Sequence, residues 1–108
     1  MPQQLTVQEL AEKLESEESL LLLDVRQEWE HQTARLPNSL LIPLDQLMAR
    51  VEEIQPEPEQ PLVIYCHHGL RSQSAAHLLE HLGYQNVYNL QGGIDAWSLL
   101  VDPTLPRY

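Results

Sequence analysis

Cysteine occurs once in the 108 residues, at Cys66, and a lone cysteine excludes an internal disulfide, a four-cysteine zinc site and an internal resolving thiol. Any chemistry at Cys66 must be completed by another molecule. Positive charge is also scarce. Six lysines and arginines face sixteen aspartates and glutamates, a net charge of -10, which repels nucleic-acid phosphates and anionic membrane surfaces. Neither nucleic acid nor membrane is an expected partner. No apolar run approaches membrane-spanning length, and Met1-Pro2-Gln3-Gln4 lacks the basic and apolar regions of a secretory signal. The default expectation is a cytoplasmic location.

The chain is short enough that one domain over residues 1–108 is expected, with its core at about residues 5–100 and an extended C-terminal tail. Apolar residues make up 43% and charged residues 20%, a balance that folds into a core rather than staying disordered. Glu15, Glu17, Glu18, Glu28, Glu30, Glu52, Glu53, Glu57 and Glu59 read as a solvated face. The alternative is a docking surface for a basic partner protein.

Thr6-Val7-Gln8-Glu9 has capping-box form, and Val7, Leu10, Ala11 and Leu14 follow at helical spacing, so a helix is predicted to start there. Residues 20–25 and 62–65 are short apolar runs suited to strands buried on both faces. Residues 40–42 and 87–90 are weaker candidates of the same kind. Helical patterns lie between them at about 28–32, 44–54 and 72–82, the last stopped by Gly83. Strands alternating with helices predict an α/β domain with a parallel sheet covered on both faces. The proline-rich stretch 55–61 reads as a surface connection within that domain.

The stretch Leu62-Val63-Ile64-Tyr65-Cys66-His67-His68-Gly69-Leu70-Arg71-Ser72 runs from strand through a short loop into a helix, with Cys66 at the turning point. In parallel sheets ligands bind beyond the carboxyl ends of strands. Loop amides can converge on one point there, and the following helix adds its positive end, an arrangement that favours a thiolate. Gly69 permits a positive backbone dihedral, Arg71 supplies fixed positive charge, and Ser72 is a candidate helix cap. Taken alone, one cysteine is better explained as a buried, inert core residue. Its position in this loop argues for a nucleophile.

CHHGLRS resembles the active-site loop of the rhodanese family, whose usual form is cysteine, two variable residues, glycine, one variable residue, arginine and serine. Leu23-Asp24-Val25-Arg26 with Glu28-Trp29-Glu30, Ile42-Pro43-Leu44, and Leu90-Gln91-Gly92-Gly93-Ile94-Asp95-Ala96-Trp97 resemble further family segments, so the resemblance spans roughly residues 5–97. It implies a five-stranded parallel sheet between helices and a two-step sulfur transfer without metal or organic cofactor. Cys66 would be the nucleophile, the amides of His67, His68, Gly69, Leu70 and Arg71 the cradle, and Arg71 the anion contact beside Ser72. Asp24 and Arg26 would brace the loop or its rim. The implied partners are a sulfur donor such as thiosulfate, a thiol or cyanide acceptor, and a sulfur-relay protein. One segment departs from the family: Gly-His-Ile-Pro-Gly-Ala is replaced by Ala34-Arg35-Leu36-Pro37-Asn38-Ser39, which leaves Arg35 as a substitute positive charge.

The competing enzymatic reading is a phosphatase or arsenate reductase, whose related loop separates cysteine from arginine by five residues. Only His67, His68, Gly69 and Leu70 intervene here. A second competitor is a protein that carries persulfide sulfur between partners, or a non-catalytic binding module. His77 and His81, four apart beside Glu80, suggest metal ligation, but an exposed pair on an acidic helix face is the simpler account, and no metal is expected. Histidines 67 and 68 line the loop and are candidates for tuning the thiolate. Trp29, Trp97 and Tyr65 are expected to serve packing.

Overall fold

The computed structural model describes residues 2–108. Its centre is a parallel five-stranded sheet in the order β1-β5-β4-β2-β3. The strands are β1 (Gln3–Leu5), β2 (Leu21–Asp24), β3 (Leu40–Leu41), β4 (Leu62–Tyr65) and β5 (Val87–Leu90). Between them run α1 (Val7–Glu15), α2 (Glu28–Thr33), α3 (Leu47–Arg50) and α4 (Leu70–His81), and α5 (Gly93–Leu100) follows β5. Among the described residues, no helix is long and apolar enough to cross a membrane.

The central strand β4 shows why an unbroken apolar run is needed: Leu62, Val63, Ile64 and Tyr65 are all fully buried. Strand alternation sends them to opposite faces. Leu62 and Ile64 pack with Leu23, Leu47, Ala75 and Leu79, while Val63 and Tyr65 pack with Leu10, Leu22, Ile94 and Trp97. One face is thus covered by α3 and α4 and the other by α1 and α5. The expected capping box starts α1, with Glu9 N donating to Thr6 Oγ1 at 3.1 Å and Thr6 N to Glu9 Oε1 at 2.8 Å.

Several local features depart from the sequence reading. The predicted helix over residues 44–54 is broken into a 3-10 turn at Leu44–Gln46, the short α3 and a second 3-10 turn at Val51–Glu53. The Tyr84 hydroxyl takes the carbonyls of Val51 and Ile54 at 3.1 and 3.0 Å, ending the helix before the proline-rich connection. Strand β1 carries no apolar run; its place comes from pairing with β5. Helix α4 starts at Leu70, with Gly69 as its cap residue at φ 103°, so Ser72 lies inside the helix and is not its cap. Of the tryptophans, Trp97 is buried, whereas Trp29 is 60% exposed and stands edge-on to Tyr108. The tail after α5 is irregular and folds back onto the domain: Ser98 Oγ donates to Leu105 O at 2.6 Å, Arg107 pairs with Asp95, and Leu105 and Tyr108 pack on the core.

Candidate active site

Cys66 follows the central strand at its carboxyl end, and its side chain is 1% exposed. Its Sγ accepts from the amide of Gly69 at 3.1 Å and from that of Ser72 at 3.3 Å. The Ser72 hydroxyl lies 3.3 Å from the sulfur and donates to Asn89 Oδ1 at 2.5 Å. Two amides from the start of α4 therefore face the sulfur, where they stabilise negative charge. The donors come from Gly69 and Ser72 rather than from a ring of every amide between residues 67 and 71.

The loop is clamped from behind by α5. Ile94 N donates to Cys66 O at 2.9 Å and Asp95 N to His67 O at 3.1 Å. This close approach requires a glycine at position 93, because a Cβ there would lie 2.5 Å from the carbonyl oxygens of both Cys66 and His67. Asn89 completes the support by donating through Nδ2 to Gly69 O at 3.3 Å and to Gln4 Oε1 at 3.0 Å. Sequence reasoning passed over Asn89; its signal was a polar residue inside an otherwise apolar buried strand.

A charged network lies on the other side of the loop. Arg71 lines a cleft of about 210 Å³ together with Cys66, His67, His68 and Leu70. Its guanidinium makes a bidentate pair with Glu30 at 2.7 and 2.8 Å. Glu30 was expected on a solvated face; it is buried instead, because Arg71, the Gln27 amide and the Tyr108 hydroxyl supply its donors. Burial alone would raise its pKa, but these donors hold the carboxyl down at about 2. The same pairing raises the pKa of Arg71.

Tyr108 links this pair to the expected bracing residues. Its hydroxyl donates to Glu30 Oε2 and accepts from Arg26 Nη1, both at 2.7 Å. Arg26 is fully buried against Asp24, with Nε to Oδ1 at 2.9 Å and Nη2 to Oδ2 at 2.7 Å. Burial disfavours the guanidinium charge, but hydrogen bonding to Asp24 outweighs it and raises the pKa. Asp24 also faces His31 Nδ1 at 2.8 Å, and Arg26 reaches Ala34 O at 2.5 Å. Asp24 and Arg26 thus connect to Arg71 of the loop only through Tyr108 and Glu30. Arg35 is exposed beyond α2, and among the described residues no hydrogen bond or ion pair joins it to the loop.

The ring of Tyr108 stacks on His67 with centroids 4.0 Å apart, and His67 stacks on His68 at 3.9 Å. Burial lowers the pKa of His67, with the neighbouring His68 adding to it. His77 lies beside Gln73 on the exposed side of α4. Neither His77 nor His81 joins a group of metal-ligating side chains among the described residues.

A parallel α/β domain with a cysteine loop at the end of its central strand is the class defined by this fold and site. A sequence profile of the rhodanese-like domain matches residues 6–100, and the chain belongs to that family. It is 35% identical over 98 residues to a sulfurtransferase from Allochromatium vinosum, covering 91% of this chain and 90% of that protein. It is 39% identical over 89 residues to the rhodanese-like/PpiC domain-containing protein 12 of Arabidopsis thaliana, described as chloroplastic, covering 81% of this chain but only 30% of that longer protein. The fold superimposes on the crystal structure of a rhodanese-like domain protein from Staphylococcus aureus with a TM-score of 0.81 at 28% identity, over 98% of each chain.

Proposed function

We propose that the protein is a sulfurtransferase of the thiosulfate sulfurtransferase type, in which Cys66 carries sulfur as a persulfide. The observation that carries this reading is that Cys66 lines the cleft while its Sγ accepts from the amides of Gly69 and Ser72. The Cys66 thiolate attacks the outer sulfur of thiosulfate or of a persulfide. The new bond is Sγ–S, the donor S–S bond breaks, and sulfite or the donor thiolate leaves with the electron pair. An acceptor, a thiol or cyanide, then attacks the outer sulfur and restores the thiolate. A loop this short suits one bound sulfur better than a phosphoryl group, which argues against phosphatase or arsenate reductase chemistry. A cytoplasmic setting, where thiols stay reduced, suits an unpaired reactive cysteine.

A specific feature favours a protein donor as the second reading. Arg71 is matched by Glu30, so the cleft holds less free positive charge for a small dianion, while Leu70 in the loop is 80% exposed. Thiocyanate formation at varied thiosulfate and cyanide tests the primary reading: parallel double-reciprocal lines, lost in Cys66→Ser, are expected. Activity retained by Cys66→Ser overturns it. Slow loading from thiosulfate but rapid loading from a persulfidated protein favours the carrier.

A further inference from the structure

His67 and His68 follow the nucleophile, and Asp95 lies in the first turn of α5, which holds the loop from behind. One ring nitrogen from each histidine and one carboxylate oxygen of Asp95 lie within 4.8 Å of one another. The imidazoles are stacked face to face, 25° from parallel, with the Tyr108 ring on the far side of His67. His67 Nε2 is buried and has no hydrogen-bond partner among the described residues. His68 Nε2 sits 3.7 Å from Asp95 Oδ2, too long for a good hydrogen bond. Asp95 is oriented by Arg107, whose Nε donates to Oδ1 at 2.9 Å and whose Nη2 makes a longer 3.3 Å contact to Oδ2.

We propose that His67, His68 and Asp95 form a binding site for a divalent transition-metal ion, with zinc the best chemical fit. Two imidazoles and one carboxylate give a mixed nitrogen and oxygen donor set that suits zinc and leaves a coordination position open. Ligands about 2.0–2.2 Å from a tetrahedral ion stand about 3.4 Å apart, so the group must contract. The 61%-exposed side chain of His68 is free to do this. Arg107 acts as the outer group that fixes the carboxylate. His67 and His68 also line the cleft that holds Cys66, so an ion bound here stands beside that cleft.

The test is zinc titration by calorimetry on Cys66→Ser protein, which removes the thiol as a competing ligand and reads binding independently of sulfur transfer. One ion per chain is expected. Adding His68→Ala, at an exposed side chain, is expected to weaken binding at least about tenfold, and Asp95→Asn to do the same in a protein whose thermal melt shows it folded. His77→Ala is expected to bind as Cys66→Ser does. The proposal is overturned by unchanged binding in His68→Ala, by loss of binding in His77→Ala, or by no binding up to about 1 mM zinc.

Discussion

Two polar networks flank the cysteine loop, and they differ in kind. On one side Cys66, Ser72, Asn89 and Gln4 form a short chain of neutral groups that touches the sulfur itself. On the other, Asp24, Arg26, Tyr108, Glu30 and Arg71 form a longer charged chain that meets the cleft at Arg71 and, through the Tyr108 ring, at His67. The neutral donors hold the sulfur in place without adding a net charge beside it. The charged chain is compensated pair by pair, so it serves mainly to hold the rim and the tail in place. Substitutions on the neutral side should change sulfur transfer, and those on the charged side should change stability.

The largest effect is expected at the point where α5 meets the loop. Gly93→Ala forces a methyl group onto two carbonyl oxygens at a positive φ of 60°. It should cost about 3 kcal/mol or more and disorder the loop; chemical denaturation and sulfur loading measure both. Glu30→Gln comes next, because it leaves Arg71 and Tyr108 without their carboxylate and should lower stability by about 3 kcal/mol at neutral pH. Sulfur loading from a protein donor should survive that change. The acid side carries a matching signature. The Glu30 pKa in the folded protein, about 2, lies below its ordinary 4.5, so its contribution is full above 4.5 and fades as pH falls toward 2. In Glu30→Gln that part of the acid-induced loss should disappear from a series of denaturation curves.

Asn89→Ala strips the Ser72 hydroxyl of its acceptor and should cost about 2 kcal/mol. It should also slow sulfur transfer about tenfold, which separates the two networks if Glu30→Gln does not. Tyr108→Phe removes one hydroxyl between Arg26 and Glu30 while keeping the ring on His67. The expected change is about 1 kcal/mol in stability with little effect on rate. A large rate loss in Tyr108→Phe would show that the charged chain reaches the chemistry after all.

The same contrast explains how much was legible in the sequence. Capping at Thr6, the buried run of β4 and the cysteine loop are local patterns, so they were read in place. Glu30 reads as a solvated residue in the sequence because its partners Arg71 and Tyr108 lie 41 and 78 residues away. Strand β1 is held by pairing with β5 rather than by its own composition, and Asp95 meets the histidines only because α5 folds behind the loop. The rhodanese resemblance supplied the five strands that residue patterns alone did not.

The most direct test of the account is the intact mass of the protein after incubation with thiosulfate and with a persulfide donor, beside Cys66→Ser. A gain of about 32 Da on the wild type, absent in the variant and removed by cyanide, is predicted for a cysteine persulfide. No gain from either donor, or an equal gain in Cys66→Ser, would contradict it.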